Sequence, residues 1–224
     1  MLAKSSFEFL SALEQNNHRD WFQQHAKDYD AYKKDYHQMI GALLEILKNW
    51  DADLTNLEVK NCTFRINRDI RFSKDKSPYK THMSMWFSKN KLQKNAPGYY
   101  LHLHPKGSFV AGGLWCPEAT DLHLIRKELA FFYEDLDQIV SDKHFKKYYN
   151  GLDQDPTNML KTSPKNFEKD HPASHWLKYK SFTASHYFDL AEAFHPYFAQ
   201  QVAEKMKPLK PLNDFLVRAL TENE

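Results

Sequence analysis

The chain has 224 residues, 42% of them hydrophobic and 15% aromatic, with 31 Lys+Arg against 29 Asp+Glu and a formal net charge of +2. That apolar share suffices for a packed core and excludes global disorder. The best apolar run, Gly41 to Leu47, is broken by Glu45 and is far shorter than the ~20 residues a membrane-spanning helix needs, so no membrane partner is expected. Two cysteines, Cys62 and Cys116, provide no disulfide framework, and the start of the chain lacks the apolar stretch of a signal peptide. The chain therefore reads as cytoplasmic, and its length predicts a single α+β domain over residues 1–224.

Only six glycines occur, and four of them (Gly98, Gly107, Gly112, Gly113) fall between residues 98 and 113. Their concentration marks tight turns or close backbone approach inside a sheet. Earlier in the chain, Ser5-Ser6-Phe7-Glu8 has the capping-box pattern and predicts a short helix to about Gln15. Asn17 is placed to cap a longer helix with Asp20 in its first turn. Phe22, Ala26, Tyr29, Tyr32, Tyr36, Met39, Ile40, Leu43 and Leu47 recur at three- and four-residue steps and read as one core-facing side.

The period changes to two near residue 59. Phe64, Ile66, Arg68, Ile70 and Phe72 alternate with Arg65, Asn67, Asp69 and Arg71, which predicts a strand. Further strand-like runs cover His82–Ser88, Tyr99–His104 and Ser108–Trp115, the last two joined as a hairpin by Pro105-Lys106-Gly107. Helical spacing resumes after Pro117, with Thr120 or Asp121 as the cap, and a short helix follows near Lys143–Asn150, ended by Gly151. Residues 152–184 read mostly as loop, and Pro196, Pro208 and Pro211 mark helix starts in the tail. The fold class expected is α+β, a central antiparallel sheet of about four or more strands within residues 59–115 packed by N-terminal and C-terminal helices.

Positive charge is concentrated in one place. From Lys60 to Lys80, seven basic residues face only Asp69 and Asp75, a net +5, so the rest of the chain sums to −3. Guanidinium groups aligned on a strand suit a phosphate or carboxylate, and Arg65, Arg68, Arg71, Lys76, Tyr79 and Lys80 are the candidate ligand-binding residues. Arg68 falls among apolar neighbours, so it meets a carboxylate from a covering helix, reaches into a pocket, or lies at a bulge that shifts the register. Asp69, His102 and His171 are the candidates for proton transfer, the last within Asp170-His171-Pro172. His102 and His104 have the His-x-His spacing of a metal chelate, with His82 or Cys116 as a conceivable third ligand. The chain carries no P-loop, dinucleotide fingerprint, nucleophile elbow or Cys-x-x-Cys, and no cofactor is expected.

The segment FRINRDIRFSKDKSPYKTH (Phe64 to His82) resembles the signature of the Domain of Unknown Function 2461 family. The likeness extends to NNHRDWF, to GYYLHLHPKGSFVAGGLW and to LKTSPKNFEKDHP followed by LKYKSF, and so covers nearly the whole chain in order. It implies a single intracellular α+β domain without an established activity. It also draws attention to Arg65, Arg68, Asp69, Arg71, Lys74, Asp75, Lys76, Pro78, Tyr79, Lys80, His102, Gly112, Gly113 and Lys180. Asn166 stands where the family pattern has glycine, and asparagine is the residue that next best tolerates the left-handed conformation. His104 departs from the pattern, which counts against a metal site.

Three functions follow as expectations. The first is an anionic small molecule bound in a basic pocket on the sheet, with or without catalysis. The second is a structural or partner-binding protein whose charges form internal ion pairs. The third is nucleic-acid binding by basic residues interleaved with Phe64, Phe72, Tyr79, Trp86 and Tyr99; the net charge of only +2 argues against it.

Overall fold

The structure, a computed structural model, describes residues 1–89 and 96–221. The chain forms two compact units: the first comprises Met1–Phe87, Tyr100–Val110 and Tyr187–Glu204, the second Ser88–Tyr99, Ala111–His186 and Lys205–Glu224. Helices and a four-stranded antiparallel sheet give the α+β class that the patterning predicts. The sheet order is β1-β2-β3-β4, with β1 at Met83–Phe87, β2 at Gly98–Leu103, β3 at Ser108–Leu114 and β4 at Phe182–Phe188.

The first unit opens with α1 (Lys4–Gln15), which the predicted capping box does not start. Instead, the Ala3 N–H and the Ser6 hydroxyl both donate to Asp35 Oδ2, at 3.0 and 2.6 Å. Asn17 is not a cap either. His18 holds that position for α2 (Arg19–Gln24), accepting from the Trp21 N–H through Nδ1. The chain breaks at His25, and α3 (Ala26–Lys48) buries Tyr32, Tyr36, Met39, Ile40, Leu43, Leu44 and Leu47, the core-facing side read from the spacing. The buried Tyr36 hydroxyl donates to the Ser84 carbonyl of β1 and accepts from the Phe64 N–H at 2.9 Å, so α3 is pinned to the sheet and to the segment beside it.

The predicted strand at Phe64–Phe72 does not form. Residues 63–82 hold only isolated bridges, Thr63 to Met85 and Asn67 to Tyr79. Alternation needs a partner ladder and a face to bury; here Phe72 is 95% exposed and Phe64 42%, leaving Ile66 as the buried anchor. The fourth strand comes from Phe182–Phe188, inside and beyond the stretch read as loop.

In the second unit, α4 (Ala119–Ser141) follows Glu118, not a Thr120 or Asp121 cap, and bends at Phe132, where φ is −130° and ψ 33°. A short α5 (Lys143–Lys146) is capped by the Asp142 carboxylate, and α6 (Ser174–Leu177) interrupts the long connection. Asn166 adopts φ +71°, the left-handed conformation expected of it. After β4 come α7 (Phe198–Met206) and α8 (Lys210–Thr221), the latter packed on α4. There Arg218 bridges Glu128 and Asp135, compensating a Glu128 that is only 8% exposed.

Glycine is required in β3. Gly113 has φ +108°, and a Cβ there would fall 1.9 Å from the Phe182 carbonyl oxygen. At Gly112 a Cβ would sit 2.8 Å from Leu209 Cδ1. Gly113→Ala is therefore expected to destabilise the protein by about 3 kcal/mol in urea denaturation, combining backbone strain with displacement of β4. A loss under about 1 kcal/mol would refute that account.

Candidate functional site

The basic segment, residues 64–80, is a closed loop and not a strand, and short-range pairs hold it. Its two limbs meet where the Arg68 N–H donates to the Pro78 carbonyl (2.9 Å) and the Lys80 N–H to the Ile66 carbonyl (2.8 Å). Asn17 clamps the closure from the α1–α2 connection: its amide donates to the Tyr79 carbonyl at 2.9 Å and accepts from the Tyr79 N–H at 3.0 Å. Tyr79 is only 8% exposed, and its ring stacks on Phe22 with centroids 4.1 Å apart.

Inside the loop, charges pair with their neighbours. Arg68 bonds Asp75 and the Ser77 carbonyl (3.0 Å), so its counter-charge comes from its own loop and not from a covering helix. Ser77 donates twice to Asp75 Oδ1 through its N–H (2.9 Å) and hydroxyl (2.6 Å). Those bonds, with Arg68 behind them, hold the Asp75 carboxyl down at about 2. Arg71 grips Asp69 in a fork, Nε to Oδ1 at 3.0 Å and Nη2 to Oδ2 at 2.6 Å, which keeps Asp69 ionised well below the ordinary carboxylate range. Lys76 donates to the Ile70 carbonyl at 3.0 Å, at an exposed position.

Beside this loop lies a cleft of about 460 Å³, lined by Glu14, Asn17, Arg68, Asp69, Asp75, Ser77, Tyr79, Lys80, Thr81 and His82. Each of its three carboxylates has a cation: Asp69 has Arg71, Asp75 has Arg68, and Glu14 has Lys106 from the β2–β3 turn. Lys80 differs. Its ammonium donates to the Arg65 carbonyl at 2.8 Å and lies 5.2 Å from the Phe64 ring centroid. Partial burial, aided by the Arg65 charge, pulls its pKa down. Neither Lys80 nor Arg65 has a carboxylate within 4.0 Å among the described residues.

The histidines divide. His82 lines the cleft, and its ring centroid is 4.5 Å from that of His102, whose Nδ1 lies 3.1 Å from the Tyr100 hydroxyl. Burial is the main cause that lowers both imidazoles from the ordinary 6.5 to about 4, so both are neutral near pH 7. His104 lies further along β2, its centroid 6.4 Å from that of His102 and its Nδ1 accepting from the Lys106 N–H. Among the described residues, no three His, Cys, Asp or Glu side chains converge as a metal-binding group. His171 belongs to the second unit, where its Nδ1 accepts from the Ala173 N–H at 3.1 Å and its ring meets Tyr133 edge-on. Sequence spacing could not reveal Asn17 as the clamp, because its partner lies 62 residues away and is backbone.

Two outcomes test this geometry. Asn17→Ala strands a half-buried N–H and carbonyl at Tyr79 and should cost about 2–3 kcal/mol, with faster amide exchange across residues 64–82. Unchanged exchange there would contradict the clamp. Because His82 and His102 hold protons less tightly folded than unfolded, the unfolded chain binds more protons between about pH 4 and 6.5. Stability should thus fall as pH drops from 6.5 toward 4, before the Asp69 and Asp75 carboxylates titrate. The double variant His82→Gln/His102→Gln should flatten that limb, and an unchanged slope would refute the imidazole account.

No curated protein and no solved structure matches the chain. No described helix is long and apolar enough to cross a membrane. The family model described as "Conserved hypothetical protein (DUF2461)" matches residues 5–215, which include nearly all of α1, the clamped loop, all four strands and the first half of α8. The chain belongs to that family.

Proposed function

We propose that the cleft beside residues 64–82 binds a small ligand through a phosphate or carboxylate group, with Lys80 as the central cation and Arg65 and Arg68 beside it. The observation that carries this reading is the imbalance left after internal pairing. Glu14, Asp69 and Asp75 are each matched by a cation, while the partly desolvated Lys80 ammonium has a carbonyl and an aromatic ring as its neighbours. A half-buried cation without a counter-ion is a cost that an incoming anion offsets. Arg65 adds a second positive charge, felt by both Lys80 and Asp69. Arg71 and Lys76 support the loop in this reading, and Tyr79 supplies part of the wall. The neutral His82–His102 pair gives the cleft a hydrogen-bonding edge suited to a proton relay, and Asp69, locked to Arg71, is the poorer base.

One observation favours a second reading, a non-catalytic scaffold. The Arg68–Asp75 and Arg71–Asp69 pairs both close within the loop and need no ligand to balance them.

Titration with inorganic phosphate and citrate by calorimetry separates the two. Lys80→Met should weaken binding about tenfold or more, the size of one charge-assisted hydrogen bond, while leaving the urea midpoint unchanged or raised. If Lys80→Met lowers stability and neither anion binds the wild type, the scaffold reading replaces the ligand reading.

A further inference from the structure

The sheet has a second face that the core does not use. In β2, Tyr99, Leu101 and Leu103 are 0–1% exposed, whereas Tyr100, His102 and the following His104 point the other way and are half-buried. On that face of the first unit, aromatic rings form a row: Trp86 of β1, Tyr100 of β2, Phe109 of β3 and Tyr187 of β4. Successive centroids are 6.4, 5.7 and 5.3 Å apart. Tyr187 is 70% exposed, and Phe64, edge-on to Tyr100 at 6.3 Å, is 42% exposed. Such rings cost less buried in a core, so a row of them left half-open is a surface with a planar partner to gain.

The row joins the cleft without a gap. His82 lines the cleft; its ring is 4.5 Å from His102, and His102 stacks nearly parallel on Phe109, at 5.0 Å and 15°. Phe64 links the two regions again, contacting Tyr100 on one side and carrying the Lys80 ammonium on the other. The surface thus offers cations at one end and a row of mutually tilted aromatic rings at the other, two ring-to-ring steps apart. Both imidazoles being neutral near pH 7, they extend the stacking surface and do not add to its charge.

We infer that the ligand of this site is a nucleoside phosphate unit, its phosphate on Lys80 in the cleft with the exposed Arg65 nearby and its base stacked on the Tyr100–Phe109–Tyr187 row. The inference rests on the anion-binding reading above and adds the base. Stacking on aromatic side chains is tolerant of base identity, so purine and pyrimidine ligands are both accommodated. The near-neutral chain favours a free nucleotide over a long strand, whose binding draws on many cations.

The test compares AMP, UMP, ribose 5-phosphate, inorganic phosphate and an eight-residue oligouridylate against wild type, Phe109→Leu and Tyr187→Ala, by calorimetry at fixed salt. AMP and UMP are expected to bind roughly tenfold tighter than ribose 5-phosphate, and each aromatic variant to remove most of that advantage while leaving phosphate affinity intact. Tyr187 is exposed enough that its variant keeps the fold, so a folding defect in Phe109→Leu does not protect the inference. Oligouridylate binding no tighter than UMP assigns a free nucleotide; affinity that climbs with length and falls steeply with salt assigns a single strand, and either upholds the base-and-phosphate site. Ribose 5-phosphate binding as tightly as AMP and UMP overturns the inference and leaves the anion reading standing. Absence of binding by every probe, phosphate included, removes both.

Discussion

The cleft exists because a loop of basic residues is closed by hydrogen bonds that no repeating ladder supplies. Between Ile66 and Lys80 the chain leaves and returns with four cations beyond the pair at its base, and the closure must resist both chain entropy and mutual repulsion. Two backbone bonds and one asparagine side chain do this, with Asn17 imitating a strand edge by donating to and accepting from Tyr79. Tyr79, fixed at its backbone, then places its ring on Phe22, and so ties the loop to the helical side of the first unit. Everything lining the cleft from Arg68 to His82 takes its position from that closure.

The same closure decides where the charge goes. A net +5 over 21 residues suggests an open cationic surface, and that excess remains after Asp69 and Asp75 are matched to Arg71 and Arg68. Asp69 lies two residues from Arg71 and Asp75 seven from Arg68, distances at which a tight loop folds a carboxylate back onto its own guanidinium. These pairs are exposed and contribute little to stability individually. Their effect is on charge placement: each paired guanidinium is offset by its own carboxylate, whereas Lys80, which also lines the cleft, has none among the described residues. A cation that is partly dehydrated and lacks a carboxylate is a more selective contact than a cluster of solvated ones, because the ligand alone restores what desolvation took away.

Much of the frame was legible in the sequence for reasons that are local. The three- and four-residue spacing of Tyr32, Tyr36, Met39, Ile40 and Leu43 is a buried helix face because apolar periodicity has no other stable outcome at that length. Pro105-Lys106-Gly107 marks the hairpin between β2 and β3, and Asn166 takes the left-handed position usually given to glycine. The reading failed where the deciding partner was distant. Phe64 to Phe72 alternates like a strand, but the one bridge to β1 is at Thr63, just before it, and no described neighbour continues the ladder, so Phe72 remains in solvent. The fourth strand was hidden in Phe182–Phe188, a stretch whose burial fades after Ala184 and so lacks a clear alternating signal. Asn17 was misplaced as a cap because asparagine is suited to both roles, and only the fold brings Tyr79 to it.

The site's chemistry follows from which face of β2 each residue takes. One register step separates Leu101 and Leu103, fully buried in the core, from His102 and Tyr100, which hydrogen-bond to each other at the edge of the cleft. Burial there is sufficient to keep the imidazoles uncharged and insufficient to close them off. Were they cationic, they would add to Lys80 and Arg65 and draw in any anion; neutral, they leave positive charge at one end of the surface and aromatic rings at the other. That division of roles, with charge on the loop and aromatic area on the sheet, is the physical basis of the proposed ligand, one that is anionic at one end and flat at the other.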